Sequence, residues 1–333
     1  MYSEAELDAA VAEGAVSAEA IGALRAFVAR RRATPSADEE QFRLLTGFND
    51  IFVSIAAILV LLAVHRLGET MSPAVGAAAV AAASWALAEY FTRKRRMALP
   101  SILLLASFAG GVFFVGYALL MHFAGDSLQA AAGAGLALLG TVAHWRRFRV
   151  PITVAVGAVA AVGLAVTLLI AAVPGLGEAW VLLLFVGGIG LFTLAMRWDM
   201  SDPARITRRS DVAFWLHLSA APLIVHPSFA VLGLLGQDEA SIGRAAAAVG
   251  LYVVLAAVAL LVDRRALLVS ALFYVLYAIS TLIQATGAMN MSLALTAAVV
   301  GSALLLLSAF WRSTRRVVLG VVPDALKARM PAA

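Results

Sequence analysis

"SIAAILVLLAVHRLGETMSPAVGAAAVAAASWALAEYFTRKRR" occupies residues 54–96. Two apolar runs are joined by a short neutral-to-acidic link, "GETMS" (68–72), and closed by a basic one, "TRKRR" (92–96). A helix needs about 20 mostly apolar residues to cross a hydrocarbon core of roughly 30 Å, and each run supplies that length. Cytoplasmic loops collect Lys and Arg, so the basic link marks the inner face and "GETMS" the outer one.

The same unit recurs along the chain. Ten spans are predicted, at 49–66, 72–91, 99–122, 127–145, 150–172, 178–197, 211–235, 245–262, 266–284 and 291–311. Their links alternate. "TRKRR", "RRFR" (146–149), "RWDMSDPARITRRSD" (197–211), "DRR" (263–265) and "WRSTRR" (311–316) are basic. "GETMS", "AGDS", "GLGE", "GQDEAS" and "GAMN" are short and neutral or acidic. Putting the basic set and both tails in the cytoplasm leaves outside only Arg66 and Arg244 of the 25 basic residues. The expected fold is therefore all-α: a polytopic membrane protein of about ten transmembrane helices with both termini cytoplasmic, carrying a small helical hairpin at its N-terminus. Span two, rich in Ala, is the weakest member of the set.

Composition agrees. Of 333 residues, 62% are hydrophobic and 14% charged, against roughly 25% charged in soluble domains. The mean hydropathy is +0.93. No Cys is present, which excludes disulfides and thiolate metal sites. The net charge of +5 is dealt out in small groups, one per link, rather than clustered on one face, so no nucleic-acid partner is expected. The polar start "MYSEAELDAA" predicts no cleavable signal peptide.

Three regions follow: a cytosolic or interfacial hairpin and linker (1–46), a ten-helix membrane domain (47–312) and an interfacial tail (313–333). In the hairpin, Ser3 with Glu6 reads as a capping box and Gly14 as a stop. Ser17 caps a second helix that ends in "RRR" (30–32). The apolar stripes Leu7/Val11 and Ile21/Leu24/Val28 zip the hairpin, lie on the inner leaflet, or receive a protein partner at residues 1–32. In the tail, "VVLGVVPDALKARMP" (317–331) reads as a short interfacial helix.

The pattern "ELDAAVAEGAVSAEAIGALRAF" (5–27), a short helix, a Gly and a Ser-capped second helix ahead of many spans, resembles the bacterial membrane proteins grouped as domain of unknown function 2157. That resemblance implies a prokaryotic inner-membrane protein with a cytosolic helical N-terminus. The family carries no established activity, so it assigns no residue a role.

Polar groups inside spans are costly and mark functional positions by default. Span seven contains "FWLHLSAAPLIVHPSF" (214–229). Pro222 and Pro227 each remove a backbone donor and crowd the carbonyls of Leu218 and Leu223, so a kinked or broken helix is expected. His217 and His226 lie nine residues apart, on opposite faces of a straight helix, so they cannot share a metal without a sharp break between them. His217 is either a neutral imidazole bonded to a neighbouring helix or a proton-coupling or ligand contact. Span nine carries Ser270, Tyr274, Tyr277, Thr281 and Gln284 on one face. That stripe is either hydrogen-bonding glue between helices or one wall of a polar pathway. Near the inner face, Glu89 is placed to pair with Arg93.

No metal, cofactor or catalytic set is expected. "SIAAILVLLAVHRL" (54–67) is superficially similar to the first span of membrane O-acyltransferases, but Ser54 stands where those carry Arg, and no enzyme is predicted. The span number, short links and interrupted span seven resemble the two-repeat drug/metabolite transporter plan, which implies a small-molecule substrate bound near the midplane. Span two lacks a matching break, and charged coupling residues at midspan are missing. The alternative is a membrane scaffold or regulatory subunit that binds a partner through its hairpin.

Overall fold

The computed structural model describes residues 4–33, 48–202, 205, 207–233, 242–285, 292–320 and 322. The chain divides into two compact units, residues 1–42 and 43–333.

The first unit is a hairpin of α1 (Glu4–Ala12) and α2 (Ala18–Ala33). Gly14 takes the left-handed conformation (φ 72°) that ends α1. Ser17 Oγ accepts the Ala20 amide at 3.1 Å, capping α2 as expected. Arg25 ties the helices together through Asp8 at 2.9 Å. Ile21 is buried, whereas Val16, Leu24 and Phe27 are exposed. The expected Ser3 cap lies outside the described residues, as do the side chains at the end of α2, that of Val28 among them.

The second unit is all-helical among its described residues: α3 (Phe48–Glu69), α4 (Pro73–Ala88), α5 (Ala98–Leu119), α6 (Asp126–Phe148), α7 (Ile152–Ala172), α8 (Trp180–Met200), α9 (Arg208–Val231), α10 (Ile242–Val262), α11 (Ala266–Ala285), α12 (Ser292–Ala309) and α13 (Trp311–Gly320). Each of the ten segments expected to be a span is one of the helices α3–α12. Eight helices are long and apolar enough to cross a membrane: α3, α4 with its π-helical extension to Lys94, α5, α7, α8 with the 3-10 turn before it, α9, α10 and α11. The bent pair α12–α13, turned by 78°, would make a ninth. Ala-rich α4 is among the eight, but α6 is not. α6 packs between α5 and α7 through a face of small residues, Ala131, Gly133, Ala134 and Ala137. The C-terminal helix begins at Trp311 rather than Val317, and most of the segment expected there lies outside the described residues.

Local chemistry explains the boundaries. Ser72 caps α4 by accepting the Val75 amide at 3.2 Å, with Pro73 in the first turn where its missing N–H costs nothing. Thr207 caps α9 and is itself held by Asp202, which accepts its amide at 2.9 Å and its hydroxyl at 2.7 Å.

α3 to α7 pack as sequential antiparallel neighbours, and α9 then contacts α7, α8 and α11. This makes α9 the hub. In its central window 56% of residues are buried, against 17–33% in the other spans. Of the kink or break expected of the prolines, the break does not occur: α9 runs unbroken from Arg208 to Val231 with both prolines inside. Prolines are tolerated in such helices when neighbours and side chains accommodate the freed carbonyls. Ser228 Oγ donates to the Ile224 carbonyl at 2.7 Å, one residue beyond the Leu223 carbonyl that Pro227 frees. Gly188 of α8 lies so close to Leu223 that a Cβ there would sit 2.9 Å from its backbone carbon. The prolines thus shape a surface against α8 without severing the helix.

The basic links meet one another. Arg147, at the end of α6, grips Glu89 at the end of α4. Trp145, Trp198 and Trp215 close around Ala155, Ala195, Val212 and Leu216, joining the ends of α6 to α9. Arg205 and Trp311 both reach Asp263, at 2.8 Å each. The five basic connections therefore gather at one end of the bundle, as the charge pattern requires.

Candidate functional site

Two features share α8, α9 and α11. The first is a cavity of about 330 Å3 lined by Leu184, Pro222, Leu223, Val225, His226, Pro227, Ser270 and Tyr274. The size lies at the lower end for small-molecule pockets. Inside it, His226 Nδ1 and the Tyr274 hydroxyl are 2.7 Å apart. Tyr274 also stacks on buried Phe229 at 4.6 Å between ring centroids, which fixes its orientation. The lining is apolar except for one imidazole and two hydroxyls, and it carries no permanently charged side chain.

The second feature lies toward the basic end of the same helices. Asp199, in the last turn of α8, is buried. Arg264, in the tight turn between α10 and α11, holds it with Nη2 2.6 Å from Oδ1 and Nε 3.3 Å from Oδ2. His217 Nε2 sits 2.8 Å from Oδ2, and because a carboxylate only accepts, that nitrogen carries the proton and donates. Residue exposures are 3% for Asp199, 2% for His217 and 4% for Arg264. The Phe192 ring meets the imidazole edge-on at 5.1 Å.

The residues expected to line a site divide accordingly. His226, Ser270 and Tyr274 come together in the cavity. His217 does not join them; it belongs to the charged cluster, bonded to a neighbouring helix as one of its two readings allowed. Tyr277 is 45% exposed and points away from the bundle. Thr281 donates to the Tyr277 carbonyl at 3.1 Å, and Gln284 donates to Ser280 Oγ at 3.2 Å, both within α11. The stripe is thus not one continuous wall. The buried face of α11 runs through Ala271, Val275 and Ala278. The polar stripe is offset from it by one residue, about 100° around the helix. Only the large side chain of Tyr274 and the nearby Ser270 reach the seam with α9.

Asp199 and Arg264 were not singled out by sequence reasoning. Both sit in links read as solvated cytoplasmic loops, and neither is spaced to meet His217 along one helix. The available signal was an acidic residue inside the otherwise basic link 197–211. Among the described residues, no three His, Asp or Glu side chains gather as a metal site. Comparison of the chain with protein-family models, with curated proteins and with solved structures finds no match. The long apolar helices make this a multi-pass membrane protein in contact with lipid.

Proposed function

We propose that the chain is a small-molecule permease of a bacterial inner membrane, crossing it ten times with both ends in the cytoplasm, and that its substrate is held between α9 and α11. The observation that carries this reading is the cavity, where the two prolines of α9 and the His226–Tyr274 pair form adjoining walls. Polar atoms at that depth in a bundle are expensive unless they bond one another or a ligand. The uncharged lining suits a neutral molecule with a hydrogen-bonding group. Ten crossings add α6 and the α12–α13 pair to the eight helices that qualify alone. The gathering of basic links at one end supports an even count. The N-terminal pattern 5–27 supports membership in the domain of unknown function 2157 group, and we infer no enzymatic activity.

The test is ligand-induced thermal stabilisation in nanodiscs against a metabolite panel, with Leu184→Trp to fill the cavity and Tyr274→Phe to remove its hydroxyl. A stabilising ligand seen with the native chain and lost in Leu184→Trp supports the permease. A ligand that still binds Leu184→Trp contradicts it. One observation favours a second reading, a scaffold: the hairpin is a compact unit of its own with Val16, Leu24 and Phe27 exposed. Deleting residues 1–32, finding that a co-purifying protein is lost and finding no ligand would favour that reading instead.

A further inference from the structure

We propose that Asp199, His217 and Arg264 form a proton-binding site that keeps the cavity shut toward the basic end of the bundle until His217 is protonated; the proposal rests on the permease reading above.

The cluster lies beneath the cavity on the same helices. From His217 to Pro222 is five residues of α9, and from Arg264 to Ser270 six residues toward α11, so the two features are separated by roughly 7–9 Å of rise. The helix segments between them carry packed apolar side chains, among them Phe192, Leu218, Ala221, Leu267 and Leu268. A solute leaving the cavity toward the basic end must pass these and then the three charged or polar side chains.

With a carboxylate, a guanidinium and a neutral imidazole, the closed cluster has no net charge. Its charges balance internally, which is what burial requires, and Arg264 also reaches the Ser210 carbonyl at 3.5 Å. Proton binding at Nδ1 of His217 makes the cluster a net cation with the imidazolium against Asp199. One cation must then leave. His217 is fixed inside α9, whereas Arg264, buried beside it, stands on a short turn at the basic end. Departure of the Arg264 side chain restores neutrality, with the imidazolium now holding Asp199, and it removes the cross-link from α8 to the α10–α11 turn. The adjacent Asp263 clasp, through Arg205 and Trp311, keeps the turn itself in place.

Few other groups compete for this role. α7 contributes no titratable side chain along its whole length. α8 adds Arg197, the α8–α9 link Asp202 and Arg205, and the turn Asp263 and Arg265. α9 adds Arg208, Arg209 and Asp211 on its first turn. Tyr274 and Tyr277 of α11 lie toward the other end. α9 also carries His226, bonded to Tyr274 in the cavity wall; His217 is the one imidazole in the buried cluster, and the ordinary range of histidine covers physiological pH.

The chain lacks Cys, so a single introduced thiol reports on access. Ser270→Cys places it in the cavity wall, and Ser201→Cys, at an exposed position of the basic end, serves as reference. A membrane-impermeant maleimide is supplied to the basic face of vesicles at about pH 8 and about pH 5.5, either side of the histidine range. The rate at Ser270→Cys relative to the reference should rise roughly tenfold on acidification with native His217. It should stay low at both values with His217→Gln, whose amide can still donate to Asp199. Equal relative rates at the two pH values with native His217, or an undiminished rise in His217→Gln, would overturn the proposal. If His217→Gln fails to fold, His226→Gln decides instead: the rise should persist in it, and its loss there would overturn the proposal. A cavity that binds its ligand but shows no acid-dependent access would refute the proton site and leave the permease reading standing.

Discussion

Two carboxylates near the basic end of the bundle are gripped in the same way, yet their surroundings differ. Glu89 is held by Arg147 at 2.6 and 2.8 Å, with Arg93 at 3.3 Å. Asp199 is held by Arg264 at 2.6 and 3.3 Å, with His217 at 2.8 Å. The Glu89 group stands partly in solvent, its side chains 32–53% exposed, whereas the Asp199 group is no more than 5% exposed. Water and salt screen the first, so it pins two helix ends together and contributes little beyond that. Nothing screens the second. A sealed ion cluster adds little stability of its own, since apolar residues of similar size often serve as well. The contrast separates a solvent-facing anchor from a sealed cluster.

The largest break in that comparison comes from removing each carboxylate. Asp199→Ala leaves a guanidinium buried without its partner and should cost about 3–5 kcal/mol. Glu89→Ala should leave the unfolding midpoint close to that of the native chain. Parallel denaturant unfolding in mild detergent measures both, and equal losses would erase the distinction drawn here.

A smaller effect is expected where α8 meets the prolines. Gly188→Val adds a side chain that has no room against Leu223 and should destabilise by about 1–3 kcal/mol through overpacking. Gly190→Ala, on the same helix with nothing within 4 Å of its added Cβ, should be neutral. The same unfolding assay compares them.

The smallest differences sharpen the reading of α11. Tyr274→Phe should lower stability by only about 0.6 kcal/mol, the usual worth of such an interhelical bond, while weakening ligand binding. Tyr277→Phe should change neither, because that ring is already outside the bundle. A ligand shift that responds to Tyr277 and ignores Tyr274 would relocate the pathway.

How much of this was legible in the sequence depended on whether the cause was local. The ten helices lie where apolar length and alternating charge put them. Ser17 and Gly14 act in the hairpin as cap and stop, and Glu89 pairs with Arg93 one turn away. Each depends on neighbours within a few residues. The sealed cluster does not: Asp199 and His217 are 18 positions apart, and Asp199 and Arg264 are 65 apart. Only the packing of α8 against α9 and the α10–α11 turn brings them together. The prolines misled for the same reason. Read alone they could kink or break a helix, but α9, packed closely against Gly188 of α8, runs on through both. The α11 stripe showed its periodicity in the sequence but not its rotation, because an offset of one residue turns Tyr277 outward without altering the pattern.

Both clasps, the cavity beyond them and the proton site assume that the basic links share one face of the membrane. Single cysteines at Glu178, in a neutral link, and at Ser201, in a basic one, test this directly in the Cys-free chain. With an impermeant maleimide and intact cells, Glu178→Cys should be labelled at once and Ser201→Cys only after the cells are opened. Labelling of both positions in intact cells would put the two sets of links on the same side and contradict the account.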